Sequence, residues 1–220
     1  MPRAASGPPS PVTVDVVDDA LFIGAALSTL AGVPGSRLKI QRIEQGWIPY
    51  IASFDDAADV VILRDELGDH VPTVLKVRAL ARIKARPIVV ADEMSDARRW
   101  RLVDEGAFVV LDRRTSVQEL SAFLVGRQPP PQVERPAGCV ASRLSDRELQ
   151  VSSLYAGRAA PSSTVLAQLL GIPVASVRTH LQRARTALRP GGSTSSRAEL
   201  VSVMREQGWI LASPRRSANP

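Results

Sequence analysis

Four short runs rich in β-branched residues, at 12–17, 60–63, 87–91 and 108–111, are interleaved with segments at 21–30, 74–83, 96–105 and 117–125 whose apolar residues recur at helical spacing. A weaker fifth run lies at 37–43. Few architectures accommodate this order. Strands that are apolar on both faces and separated by helices require a parallel sheet buried between two helical layers. Residues 12–125 therefore read as an α/β doubly wound domain with a five-stranded parallel sheet.

The alternation stops at 126–142, GRQPPPQVERPAGCVAS, which holds a Pro triplet and no apolar period. Such a stretch is a semi-rigid extended linker and marks the domain boundary. Beyond it the pattern is wholly helical. Ser145 and Glu148 form a capping box, in which the Ser oxygen takes the amide three residues on and the Glu reaches back to the cap amide. The helix they open runs through Ala156, and Gly157 is expected to end it in the left-handed conformation. A second helix at 162–170 stops at Gly171, a third follows Pro173 and runs to Leu188, and a fourth spans 197–207. Residues 143–211 thus read as an all-α four-helix domain, 1–11 as a disordered N-terminus and 212–220 as a C-terminal tail.

The net charge of +6 is unevenly distributed. From residue 143 onward there are 11 Arg and 4 carboxylates, a net of +7, which leaves 17 basic against 18 acidic residues before it. A basic module beside a neutral one is the footprint of nucleic-acid binding, because cationic side chains on phosphates release condensed counterions.

Within the basic module, two short helices meet at Gly171-Ile172-Pro173, the layout of a helix-turn-helix. On the third helix Val177, Leu181, Ala184 and Leu188 make one apolar stripe, and Arg178, Thr179, Gln182, Arg183 and Arg185 lie off it. Arg bonds guanine bidentately, Gln pairs with adenine, and the Thr methyl touches thymine, so Arg178, Thr179 and Gln182 are the candidates for base edges. Arg183 and Arg185 are candidate phosphate clamps, and His180 is a packing or phosphate-contact residue. With one cysteine, Cys139, and two histidines in the chain, no disulfide, metal site or cofactor is expected.

The segments LSDRELQV (144–151), VLAQLLGI (165–172), SVRTHLQRARTAL (176–188) and SRAELVSVMREQGW (196–209) together resemble the LuxR/NarL family of DNA-binding domains. The resemblance implies a homodimer contact through the fourth helix, which offers Leu200, Val203 and Met204. Pro173 stands where the family usually carries a Ser or Thr cap.

The N-terminal domain in turn resembles the response-regulator receiver, with Asp18-Asp19 at the position of the acidic pair that holds Mg²⁺. The family's other active positions are altered. Arg64 falls at the phosphoaccepting Asp, Ala91 at the hydroxyl, Arg113 at the Lys and Val110 at the aromatic switch. Asp65 lies one residue past the acceptor position, where a strand side chain points to the opposite face. Arg64 is expected to put a guanidinium beside Asp18 and Asp19. The domain is thus read as a pseudo-receiver, with dimerisation expected around its fourth helix and fifth strand.

These residues favour a cytoplasmic transcriptional regulator over an enzyme. It would bind double-stranded DNA independently of phosphorylation, as a homodimer, and contact RNA polymerase. A small-molecule ligand at the receiver-like domain is a further expected partner, and a membrane is not. The alternative reading is a phosphorylation-competent two-component response regulator that uses Asp65.

Overall fold

The computed structural model describes residues 10–56, 58–65, 67–92, 94–141, 143–157, 159–189 and 196–211. Most of both terminal tails and the loop at 190–195 lie outside them. Five parallel strands, β1 (Val12–Val17), β2 (Leu38–Glu44), β3 (Val60–Arg64), β4 (Arg86–Ala91) and β5 (Val109–Asp112), form one sheet in the order β2-β1-β3-β4-β5. The helices around it are α1 (Phe22–Ala31), α2 (Trp47–Ala52), α3 (Thr73–Arg82), α4 (Asp96–Asp104) and α5 (Val117–Leu124).

Strand periodicity decides which helix covers which face. Val60 and Ile62 pack with Leu27 of α1 and Leu120, Phe123 and Leu124 of α5. Val61 and Leu63 point the other way, into a cluster with Tyr50 of α2, Val74, Val77 and Leu80 of α3 and Leu102 of α4. Both faces are buried, as the doubly wound reading requires.

The short helix α2 is held by an ion pair whose carboxylate, Asp15, is buried. A register shift between Val14 and Asp15 sets Asp15 opposite Arg42, whose Nη2 lies 2.6 Å from Asp15 Oδ2. Tyr50 donates its hydroxyl to the same oxygen at 3.0 Å. Burial and the Asp15 carboxylate push the Tyr50 phenol well above its ordinary range, so it stays a donor.

The C-terminal domain contains α6 (Asp146–Ala156), α7 (Ser163–Leu170), α8 (Val174–Leu188) and α9 (Arg197–Glu206). Capping boxes at Ser145/Glu148 and Ser196/Glu199 satisfy the first amides of α6 and α9. Gly171 ends α7 at φ +62°, and the Ile172 amide donates back to Ala167 O at 3.1 Å, a left-handed cap that turns the chain sharply into α8. Gly157 corrects the expectation for it. Its φ is −64°, outside the left-handed region, although a Cβ there would lie 3.2 Å from Leu154 O. The α6–α7 loop is instead tied by Arg197, which donates to Ala160 O at 2.8 Å and to Pro161 O and stacks on Tyr155.

The two domains share a continuous core: Leu144, Leu149, Leu200 and Trp209 belong to the same buried cluster as Leu80 and Leu102. The 126–141 segment has no helix or strand, but its end is anchored. Val140 N donates to Gln207 Oε1 at 2.7 Å, and Gln207 Nε2 donates to Gly138 O at 2.8 Å.

Candidate nucleic-acid interface and strand-end pocket

Helix α8 presents two opposed faces. Val177, Leu181, Ala184 and Leu188 are buried against the rest of the four-helix domain. Arg178, Thr179, Gln182 and Arg183 are exposed, and neither Arg178 nor Arg183 carries an ion pair among the described residues. Thr179 gives its hydroxyl to Ala175 O at 3.0 Å. Arg185 is half-buried, and with Tyr155, Ser163 and Arg183 it lines an open groove along the helix. His180 is half-buried, with Nδ1 lacking a protein partner. Among the described residues no cluster of His, Cys, Asp or Glu could hold a metal.

The cationic face from Arg178 to Arg185 runs about 11 Å at 1.5 Å per residue, and a helix about 10–12 Å across with its side chains fits a major groove about 12 Å wide. Pro173 occupies the cap position of α8 without a side-chain hydrogen bond, and its carbonyl accepts from Val177 N at 3.2 Å. Its fixed φ of −61° suits the chain leaving the turn.

The expected dimer contact through Leu200, Val203 and Met204 is corrected. All three are buried in the chain's own core, at 0%, 6% and 0% exposure, where they pack with α6 and α8. They are not available to a partner in this arrangement. The surface around α4 is likewise partly taken up, because Arg98, Trp100 and Arg101 are buried.

At the C-terminal ends of the strands, Arg64 Nη1 lies 3.0 Å from Asp19 Oδ1 and 3.9 Å from Asp18 Oδ1, and its Nη2 lies 3.2 Å from Asp92 Oδ2. Burial would lower the Arg64 pKa, but the three carboxylates outweigh it and raise it, so the guanidinium is permanently charged. Asp18 is buried and also accepts from the Ala20 and Ile23 amides at 3.1 and 3.2 Å, which joins β1 to the first turn of α1. Arg113 Nε reaches Asp92 Oδ1 at 3.9 Å, extending an alternating chain Asp19–Arg64–Asp92–Arg113. Ala91 and Val110 are buried and bring no polar side-chain atom. This donor set does not fit a divalent cation, because a guanidinium already stands against Asp18 and Asp19.

Sequence reasoning missed Asp92, which completes the pocket, and the partner of Asp65. Asp65 points away from Arg64 and is buried against Arg98 of α4, with Arg98 Nη2 2.6 Å from Asp65 Oδ1. An Arg on α4 and an Asp 33 residues earlier carry no shared local signal. The only cue was the one-residue slip past the strand end, which reverses the side chain's face.

No protein-family model matches the chain, and no curated protein matches it by sequence. Solved structures do. The RcsB response regulator of Salmonella typhimurium superposes with a TM-score of 0.59 at 16% identity, over 90% of this chain and 99% of that one. RcsB from Salmonella enterica serovar Typhimurium, bound to promoter rprA in the presence of the phosphomimetic BeF3−, gives 0.57 at 17% identity over 88% and 98%. The chain therefore shares the two-domain fold of these RcsB structures, a doubly wound α/β domain followed by an all-α domain with a helix-turn-helix.

Proposed function

We propose that this chain is a sequence-specific DNA-binding transcriptional regulator whose receiver-fold domain works without phosphorylation. The observation that carries the DNA-binding reading is the exposed Arg178–Thr179–Gln182–Arg183 face on a helix whose opposite face is buried. Arg178, Thr179 and Gln182, in the N-terminal half of α8, read base edges in the major groove. Arg183 and Arg185 hold phosphates. RcsB, which shares the fold, is itself bound to promoter DNA in a solved structure.

Phosphorylation independence is supported by the ion-paired pocket. Phosphotransfer needs a carboxylate in line with the donor, and Arg64 stands there, already engaged by Asp19 and Asp92. The reading in which Asp65 accepts the phosphoryl group is disfavoured by its burial at 5% exposure and its pairing with Arg98. The regulator acts as a homodimer on a pseudo-palindrome, since two copies of α8 must enter successive major grooves. Control comes through protein level, a partner such as RNA polymerase, or a small ligand at the receiver domain that prefers one conformer.

Selection of bound DNA from a random pool with the full-length protein tests this reading. The expected product is an enriched site with two half-sites about 10 bp apart, centre to centre. A pool that stays random after repeated rounds overturns it.

A further inference from the structure

One arginine on α4 spans both domains. Arg98 Nη2 and Nε meet the two oxygens of Asp65 at 2.6 and 3.2 Å, and its Nη1 donates to Gly208 O at 3.0 Å and Trp209 O at 2.9 Å. Both side chains of the ion pair are buried, at 5% and 1% exposure. Asp65 is in turn fixed by its own backbone. Its amide donates to Val90 O at 2.9 Å, and its carbonyl accepts the Thr73 hydroxyl at 2.5 Å.

The next arginine on the same helix face repeats the grip. Arg101 is stacked between Trp100 and Trp209, with ring centroids 4.4 and 4.0 Å from its Cζ. It donates from Nε to Gln207 O at 3.3 Å and from Nη2 to Val140 O at 2.8 Å. The turn they hold, residues 207–209 just after α9, is shaped for close approach. Gly208 sits at φ +73°, and a Cβ there would lie 2.2 Å from Ala97 O.

We infer that Asp65 is an interdomain latch residue: by neutralising and orienting Arg98, it holds the turn after α9, and with it the helix-turn-helix domain, on α4 with the α8 face exposed. A buried guanidinium that offers three hydrogen-bonding nitrogens to carbonyls alone would be an uncompensated charge. With Asp65 in place, one edge is a bidentate ion pair and the remaining nitrogen is free for the carbonyls of the turn. Both Asp65 oxygens are thereby occupied. The role needs no modification of the chain, and it turns the residue nearest the acceptor position into a mechanical part.

Limited proteolysis of the linker and small-angle scattering on full-length protein test the latch. Asp65→Asn keeps the shape but loses the charge, and Gly208→Ala disturbs the same contact from the other domain. Both variants are expected to keep their helix content by circular dichroism, to expand in scattering, and to be cut in the linker roughly tenfold faster, since cleavage follows the population of the open form. If Asp65→Asn does not fold, Arg98→Lys replaces it, because an ammonium cannot serve the carboxylate and both carbonyls together. The latch is overturned if the receiver-side variant keeps the parent's cleavage rate and scattering, whether or not Gly208→Ala loosens the chain. The consequence for DNA rests on the proposed function: a loosened chain loses affinity for paired half-sites but not for a single one. Cleavage and scattering are read without DNA, so a parent protein that ignores DNA would remove that function and leave the latch standing.

Discussion

Replacing Arg183 by Ala should change how DNA binding responds to salt by a predictable amount. Arg183 is exposed on α8 without an ion pair among the described residues, and Arg185 lines the same groove. An arginine already paired within the protein would release few counterions on meeting a phosphate, but these two are free to do so. Two phosphate clamps on each α8 make four in a homodimer, and at about −0.9 per contact the logarithm of affinity should fall with the logarithm of salt at a slope near −3.6. Between 50 and 200 mM salt that is a loss of about 150-fold. Arg183→Ala removes one clamp per protomer, so the slope should drop to about −1.8 and the loss to about 12-fold. Fluorescence anisotropy of a labelled duplex over a salt series reads both slopes. Equal slopes for the parent and the variant would refute the assignment of Arg183 to phosphate, even if absolute affinity fell.

Arg178→Ala and Gln182→Ala should each cost roughly 1–3 kcal/mol and relax selection at one position of the site, as read by binding to a panel of single-base variants. Val203→Asp should unfold the C-terminal domain, because it puts an unpaired charge in the core at a cost of ~3 kcal/mol or more, and a thermal melt followed by circular dichroism will show it. At Asp146, burial would raise the pKa, but Arg78 and Arg82, at 2.7 and 2.8 Å, outweigh it and lower it below the usual carboxylate range. A carboxylate depressed in the fold stabilises above its unfolded value of about 3.9 and loses that contribution as pH falls through its folded value. The pairing between α3 and α6 should therefore hold at neutral pH and weaken below about pH 4, and Asp146→Asn should flatten that part of the stability profile.

The strands were legible because Val, Ile and Leu runs are short, β-rich and spaced by helices, and β1 was readable to its ends, Val12 and Val17. Helix α2 was not, because six residues with a Pro at the third position show no helical period, and its existence depends on Tyr50 reaching Asp15 across the sheet edge. The stripe Leu200, Val203 and Met204 was visible as an apolar face. Periodicity shows that such a face is buried, though not whether a second chain or the chain's own α6 and α8 cover it. Arg64 could be placed beside Asp18 and Asp19 through the resemblance to the receiver, which sets it at the end of the third strand. The burial of Arg98 has no signal in its own helix, because the surface that covers it belongs to the other domain.

The most direct measurement compares the affinity of the full-length protein for its selected DNA site before and after treatment with a small phosphodonor and Mg²⁺, with intact mass recorded on the same samples. The account predicts no gain of a phosphoryl group's mass and an unchanged affinity, since Arg64 fills the acceptor position and Asp65 is held by Arg98. A phosphoryl group found on Asp65 together with tighter binding, both abolished by Asp65→Ala, would contradict it.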